Sequence, residues 1–231
     1  MQKQKNIAVI LAAGKGKRVG SSINKVLLPI KKKPLIYWTF SIFEKHPQIN
    51  EVILVSREID FFSFQKIIQK YHFKKIISIT KGGKERQDSA MAGLKMTEKT
   101  GAKKGDLILF HNAANPLVSV EEISELIKVG KKCHTALLAQ PLKDTLKKGN
   151  KNNFIIKTIS RKNLWLAQTP QAIEYCLAKE AFNKAKDDGF YGTDDVSLVE
   201  RLGKRVKIVP CSYKNIKVTT KDDFKIVENF L

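Results

Sequence analysis

Residues 7–20 read IAVILAAGKGKRVG, an apolar run that gives way to small residues and then to basic ones. The apolar part has the length and composition of a buried strand, and Gly14 ends it. Five further runs of this kind follow along the chain: EVILVS (51–56), KIISIT (75–80), DLILFHN (106–112), TALLAQ (135–140) and RVKIVP (205–210). Apolar runs separated by amphipathic segments are typical of a parallel sheet with crossover helices.

Segments with helical periodicity separate these runs, and several carry start or stop signals. Ser119 with Glu122 predicts a capping box, Thr193 before two aspartates predicts a helix start, and Gly203 predicts a helix end. We expect helices at about 34–46, 60–72, 85–98, 119–131, 173–186, 193–202 and 220–230. The predicted fold class is α/β, a Rossmann-like, mostly parallel sheet with helices on both faces. A chain of 231 residues fits a single domain, 1–231.

The stretch from Pro141 to Trp165 breaks this alternation. Two β-like pieces, DTLKK and FIIKTISR, flank a polar KGNKNN turn, which predicts a hairpin arm projecting from the main sheet at about 141–165. A hairpin is marginally stable by itself, so its apolar side needs a surface to pack on. That surface is either a second subunit or the same chain, and the sequence leaves both open.

Charge narrows the class of partner. The chain has 43 Lys and Arg against 22 Asp and Glu, a formal charge of +21, so its surface attracts polyanions such as nucleotides, sugar phosphates or nucleic acids. The basic residues are spread over nearly every segment, whereas nucleic-acid-binding proteins gather them on one stripe, often with stacking aromatics. A nucleic-acid-binding protein is therefore the less favoured alternative.

The spacing of the cysteines and the hydropathy of the chain argue against further classes of protein. Cys133, Cys176 and Cys211 are widely spaced and form no CxxC pair, which argues against a zinc site or a disulfide framework and favours a reducing, cytoplasmic compartment. No segment approaches the roughly 18 apolar residues that span a bilayer. We therefore expect a soluble protein with no membrane partner.

The loop after the first strand combines small residues with basic ones. Four of its residues have little or no side chain: Ala12, Ala13, Gly14 and Gly16. Backbone N–H groups there can close around phosphate oxygens, and Arg18 and Lys25 add positive charge for a triphosphate. The loop is neither a Walker A sequence nor a dinucleotide fingerprint. Its place after a strand favours a ligand site, and a Gly-rich turn with solvated lysines is the alternative.

Two further strands end in polar sequences. GGKERQDS (82–89) can present backbone amides and the Ser89 hydroxyl to the edge of a base, although the same residues suit a simple helix cap. HNAANP (111–116) places His111 and Asn112 at a strand end, where either can hydrogen-bond a ligand. The histidine is equally compatible with a structural role. Basic residues elsewhere are each most simply solvated surface charges.

Taken in order, these motifs resemble those of the 2-C-methyl-D-erythritol 4-phosphate cytidylyltransferases, a family of the non-mevalonate isoprenoid pathway that is related to the ribitol-5-phosphate cytidylyltransferases. Seven motifs covering almost the whole chain carry the resemblance: LAAGKGKRVG with Lys25, GGKERQDS, HNAANP, PLKDT with TISRKNLW, QTPQ, TDD and NIKVTT. The resemblance implies transfer of CMP from CTP to a small polyol phosphate, with release of pyrophosphate.

The resemblance also implies roles for single residues. Arg18, Lys25 and Lys217 would be catalytic, stabilising charge on the triphosphate and the acceptor. Gly83 and Ser89 would help select cytosine. Five residues would bind the polyol phosphate: Asn115, Thr145, Arg161, Thr193 and Lys217. Arg161 would be supplied across a homodimer that forms through the arm.

Two positions depart from the family's pattern. Asn112 and Asn115 stand where the family's HDAARP motif has Asp and Arg. Asn112 keeps an oxygen near the nucleotide and its metal but loses a negative charge, and Asn115 removes a cation near the substrate. We expect Mg²⁺ to be held mainly by the phosphates of CTP rather than by a protein metal site. The departures leave three alternatives: the methylerythritol enzyme, a ribitol 5-phosphate enzyme, or an inactive homologue.

Overall fold

A computed structural model describes residues 4–14 and 24–231. Its strands are Asn6–Leu11 (β1), Pro29–Ile30 (β2), Lys33–Pro34 (β3), Glu51–Ser56 (β4), Ile76–Lys81 (β5), Leu107–Asn112 (β6), Thr135–Pro141 (β7), Leu146–Gly149 (β8), Ile155–Ile159 (β9), Trp165–Glu174 (β10) and Lys207–Pro210 (β11). Its α-helices are Leu35–Lys45 (α1), Phe61–Lys70 (α2), Arg86–Lys99 (α3), Val120–Cys133 (α4), Tyr175–Asp187 (α5), Val196–Arg201 (α6) and Lys221–Phe230 (α7).

Seven of these strands form one mostly parallel sheet in the order β11-β7-β10-β6-β1-β4-β5. Strand β1 pairs in parallel with both β4 and β6, so the carboxyl ends of three neighbouring strands meet at one edge. Strand β10 is antiparallel to β6 and β7. The predicted α/β class is confirmed, and the edge shared by β1, β4 and β6 is where a ligand of such a sheet binds.

Both faces of the sheet are covered, which explains why the first strand reads as an unbroken apolar run. Successive side chains of a strand point to opposite faces. Ala8 and Ile10 join a core with α1, α2 and α4, whereas Ile7 and Val9 join a second core with α3, α5 and α6. All four side chains are fully buried. Burial on both faces leaves no position for a polar residue, so alternation is absent.

Strand β10 was missed by the sequence prediction, which placed an arm up to residue 165 and a helix from 173. Its sequence, WLAQTPQAIE, contains Pro170, and a proline argues against a strand inside a sheet because it has no N–H to donate. The structure accommodates the proline with a shift of register between Ala167 and Gln171 in the pairing with β7. The helix that follows therefore begins at Tyr175.

Helix ends were predicted with mixed success. Ser119 and Glu122 form the expected capping box at the start of α4. The expected helix start at Thr193 was wrong, because α6 begins at Val196 and Asp194, not Thr193, accepts a hydrogen bond from the Ser197 backbone N–H. None of the helices within residues 4–14 and 24–231 is long and apolar enough to cross a membrane.

An antiparallel hairpin of β8 and β9 lies inside the range predicted for the arm. It exposes apolar side chains: Leu146 is 41% exposed, Phe154 70%, Ile155 65% and Ile156 57%. The sequence predicted that apolar side chains of the arm need a covering surface, and these four are exposed in the single chain. That a second subunit covers them stays a prediction.

Two glycines allow α3 and the turn before it to approach the sheet closely. A Cβ on Gly93 would lie 2.3 Å from Val9 Cγ1 and 2.9 Å from Val55 Cγ2. A Cβ on Gly82 would lie 2.5 Å from Ala13 Cβ and 2.8 Å from Ser89 Oγ. Only glycine fits at both contacts, and the result is that the turn 82–89 lies directly against the residues that follow β1.

We predict that Gly93→Ala lowers the free energy of unfolding by about 1–3 kcal/mol, because the clash with Val9 and Val55 outweighs the gain in helix propensity of about 1 kcal/mol. Gly130→Ala in α4 is the matched comparison, since its Cβ would meet Leu107 Cδ2 at 3.1 Å and Ala172 Cβ at 3.2 Å. Urea unfolding of both variants should show the larger loss at Gly93. Equal stabilities would contradict the close approach of α3.

Candidate active site

A cavity of about 600 Å³ opens at the carboxyl ends of β1, β4 and β6. Its walls come from six parts of the chain: 11–14, 24–26, 57, 83–86 with 89, 112 with 114, and 217 with 219. Among the described lining residues, five are cationic and one is anionic: Lys25, Arg57, Lys84, Arg86 and Lys217 against Glu85. A concave site with this balance of charge attracts an anionic ligand.

Most of the residues predicted to bind the nucleotide or to be catalytic line this one cavity. They are Ala12, Ala13, Gly14, Lys25, Gly83, Ser89, Asn112 and Lys217. The predictions for Gly16 and Arg18 fall outside the described residues. The Ser89 hydroxyl accepts a hydrogen bond from the Gly83 backbone N–H at 3.2 Å and donates one to the Glu85 carbonyl at 3.2 Å. The turn is thus internally braced at the cavity wall.

Arg86, which the sequence analysis did not single out, joins this turn to the start of α6. Its Nη1 and Nη2 donate to the two carboxylate oxygens of Asp195 at 2.9 and 2.7 Å. The Asp195 side chain is 1% exposed, so the pair is a largely buried bidentate ion pair. Burial alone would lower the pKa of Arg86, but the Asp195 carboxylate outweighs that effect and raises it. Arg86 therefore carries a permanent charge.

A series of hydrogen-bonded side-chain amides runs from Arg86 and Asn112 at the cavity wall to the buried Asn115 and Asn215. Arg86 Nε donates to Asn112 Oδ1 at 3.3 Å. Asn112 Nδ2 then donates to Asn115 Oδ1 at 3.3 Å, and Asn115 Nδ2 to Asn215 Oδ1 at 3.3 Å. Asn215 Nδ2 ends the chain at the Thr169 carbonyl, at 2.9 Å. Because a guanidinium only donates and a carbonyl only accepts, the two ends fix the orientation of all three amides.

The segment that carries Lys217 is docked on the same side of the cavity by two hydrogen bonds. Lys25 Nζ donates to the Val218 carbonyl at 2.6 Å, and the Val218 N–H donates to the Ala114 carbonyl at 2.8 Å. The first of these bonds connects residues 193 positions apart in the chain. Lys25 and Lys217, which the sequence predicted as catalytic, consequently line one cavity.

Comparison with known proteins identifies the family. The model of the 2-C-methyl-D-erythritol 4-phosphate cytidylyltransferase (IspD) family matches residues 6–231. The chain belongs to this family. It is a nucleotidyltransferase of the cytidylyltransferase type, as the seven motifs predicted.

Individual relatives match over nearly their full length. A 2-C-methyl-D-erythritol 4-phosphate cytidylyltransferase from Shouchella clausii (strain KSM-K16) is 41% identical over 224 residues, which are 97% of this chain and 95% of the relative. One from Caldanaerobacter subterraneus subsp. tengcongensis is 41% identical over 225 residues, 97% of each. The crystal structure of the Francisella tularensis IspD superposes with a TM-score of 0.83 at 30% identity, covering 98% of this chain and 100% of that one.

Four residues predicted to bind the IspD substrate do not line the cavity of the single chain. Asn115 is 1% exposed and its amide bonds to Asn112 and Asn215, so within the single chain it has a structural role, and its contact with substrate stays a prediction. Thr193 is exposed outside the cavity. Thr145 and Arg161 are exposed on the arm, where Arg161 donates to the Lys143 carbonyl. Their role across a dimer stays a prediction.

His111 belongs to the core rather than to the site. Its ring is fully buried, lies 4.9 Å from the ring of Phe43, and places Nε2 at 3.0 Å from the Asn115 carbonyl. Burial lowers the pKa of His111 to about 3, so the imidazole is neutral across the physiological range and Nε2–H donates to that carbonyl. Of the two roles that the sequence left open, the structure supports the structural one.

We predict that His111 makes the protein less stable in mild acid. Above about pH 6.5 the imidazole is neutral in both states, but below it only the unfolded chain takes up the proton. The free energy of unfolding should therefore fall by about 2 kcal/mol through this group between pH 7 and pH 5. Urea titrations of wild type, His111→Gln and the exposed control His72→Asn measure the effect. An unchanged pH slope in His111→Gln would refute it.

Proposed function

We propose that this chain transfers CMP from CTP to 2-C-methyl-D-erythritol 4-phosphate, giving CDP-methylerythritol and pyrophosphate for isoprenoid precursor synthesis. The observation that carries the proposal is the basic cavity at the ends of β1, β4 and β6, which collects residues of four family motifs in one place. Relatives named for this activity are 41% identical over 97% of the chain. Ribitol 5-phosphate is the second acceptor to consider, because both acceptors are short phosphorylated polyols.

The chemistry needs no covalent enzyme intermediate. A phosphate oxygen of the acceptor attacks the α-phosphorus of CTP in line, a P–O bond forms, and the bond from that phosphorus to the bridging oxygen of pyrophosphate breaks. The protein contributes by positioning two anions and by neutralising charge on the α-phosphate and the leaving group. Lys25 and Lys217 are the described residues that we assign to charge neutralisation, with Arg18 as the third cation of the proposal.

We also propose Mg²⁺ as the cofactor, held mainly by the phosphates of CTP. The described residues contain no group of three His, Cys, Asp or Glu side chains placed to hold a metal ion. Asn112 Oδ1 already accepts from the Arg86 guanidinium, and the Asp195 carboxylate is paired with the same cation. An ion with nearly all its ligands from phosphate is compatible with these contacts.

A homodimer formed through the arm is part of the proposal. Thr145 and Arg161, the proposed ligands of the acceptor phosphate, lie on the arm outside the cavity of their own chain. A second copy seated on the exposed apolar side chains of β8 and β9 would bring such residues to a neighbouring cavity and would bury apolar surface at the same time. We further propose a cytoplasmic location, from the wide spacing of the three cysteines.

Pyrophosphate release tests the proposal. Purified protein is given CTP and Mg²⁺ with either 2-C-methyl-D-erythritol 4-phosphate or ribitol 5-phosphate, and the product is identified by ³¹P NMR. We predict CDP-methylerythritol with the first acceptor and a kcat/KM at least about 100-fold lower with the second, because an acceptor that fits poorly loses roughly 3 kcal/mol of transition-state binding. Turnover of ribitol 5-phosphate alone would transfer the assignment to the rival enzyme.

Three variants serve as controls in the same assay. Lys25→Ala should lower kcat about 100-fold, the usual effect of removing one charge-stabilising donor, whereas Lys128→Ala on the exposed face of α4 should not.

Asn112→Asp tests the departure from the family motif, because it restores a carboxylate beside Arg86 but removes the donor to Asn115. If the wild type releases no pyrophosphate and the Asn112→Asp variant does, the chain is an inactivated homologue.

A further inference from the structure

Arg57 is a cation of the cavity wall that belongs to none of the seven family motifs. It directly follows β4, the strand beside β1, and so stands at the carboxyl edge where the nucleotide loop begins. Its Nε donates to Asp60 Oδ2 at 2.7 Å and its Nη2 donates to Asp60 Oδ1 at 3.0 Å. The guanidinium is therefore held by a bidentate pair that fixes its plane.

The partner of Arg57 is tied to the nucleotide loop. Asp60 is 7% exposed, and its Oδ2 also accepts from Asn24 Nδ2 at 3.0 Å. The same Asn24 Nδ2 donates to the Ala12 carbonyl at 2.8 Å, which joins two residues twelve positions apart. Asn24 directly precedes Lys25. One buried carboxylate thus connects Arg57 to residues on both sides of the loop.

The cavity faces the cationic side of this pair. Arg57 lines the cavity and its side chain is 27% exposed, whereas Asp60 is not part of the lining. With Nε and Nη2 directed at Asp60, Nη1 makes no hydrogen bond within the part of the chain that the structure describes. A guanidinium that is already oriented and still has donors loses little conformational entropy when it binds a phosphate.

We propose that Arg57 is a further nucleotide-binding residue, whose guanidinium donates to a phosphate group of the nucleotide, and that Asp60 is the residue that positions it. The inference rests on the proposed function, since it takes the cavity to be the CTP site. A purely structural role for Arg57, bracing Asp60 and Asn24, is the competing account. The two accounts differ for a variant that lacks the guanidinium but keeps Asp60 partnered: only the phosphate contact predicts that such a variant loses affinity for CTP and keeps its affinity for cytidine.

Equilibrium binding of CTP and of cytidine tests the contact. Arg57→Gln is the variant of choice, because its amide can still donate to Asp60 and so keeps the buried carboxylate partnered. We expect it to weaken CTP binding at least tenfold, as for the loss of one charge-assisted hydrogen bond, and to leave cytidine binding unchanged. The matched control is Arg201→Gln, which breaks an Arg–Asp pair with Asp188 on the surface formed by α5 and α6 and should leave both ligands unaffected.

Asp60→Asn tests the positioning role through a double-mutant cycle. If Asp60 acts through Arg57, the double variant binds CTP no more weakly than Arg57→Gln alone, whereas additive losses would show an independent role and contradict the assignment. Urea unfolding confirms that each variant is folded. Arg57→Lys keeps the positive charge but lacks the planar guanidinium donors, so its affinity for CTP should lie between those of wild type and Arg57→Gln.

The outcomes separate this inference from the proposed function. Wild type that binds CTP, together with an Arg57→Gln variant of equal affinity or with equal losses for CTP and cytidine, overturns the inference and leaves the proposed function intact. Wild type that binds no CTP overturns both.

Discussion

The ion pair between Arg86 and Asp195 is the contact on which the geometry of the site depends. It joins the start of α3 to the start of α6 across 109 residues of chain, and its carboxylate is almost completely buried. A buried charge without its partner is costly, so neither segment can move away from the other without a large penalty. Arg86 also donates to the first side-chain amide of the series that ends at Thr169, so the guanidinium and the Thr169 carbonyl together set the direction of those hydrogen bonds.

A second Arg–Asp pair, between Arg57 and Asp60, stands on the opposite side of β1. The two pairs have the same design: a buried carboxylate holds a guanidinium in a fixed plane at the cavity wall, and the carboxylate itself stays out of the lining. Cations held in this way bind a polyphosphate more tightly than mobile ones, because the entropy of the long side chains is lost when the protein folds and not when the ligand binds.

The sequence predicted most strands and motifs, which are patterns along the chain, but few of the contacts between residues that are distant in the chain. Strands β1, β4 and β6 could be predicted because a strand buried on both faces leaves an unbroken apolar run, as Ile7 and Ile10 show. Strand β10 could not, since Pro170 is the residue that argues against a central strand. The motifs also gave the right family and most of the cavity wall.

Arg86, Asp195 and Arg57 were missed for a different reason. Any one of them is indistinguishable from a solvated charge in a chain with 43 basic residues, and burial of an aspartate cannot be read from its neighbours in sequence. Asn115 illustrates the converse: its place in a family motif suggested a substrate contact, but its amide is used inside the protein. Pattern locates a site, whereas the partner of each polar group depends on the fold.

A crystal structure of the protein with CTP tests the central claim most directly. The claim is that the edge of β1, β4 and β6 is a nucleotide site whose ion pairs and amide hydrogen bonds form before the ligand binds. The account predicts CTP in the cavity with its phosphates against the cationic wall, and with the Arg86–Asp195 and Arg57–Asp60 pairs and the amide chain unchanged. CTP bound elsewhere, or bound only after Arg86 has left Asp195, would contradict it.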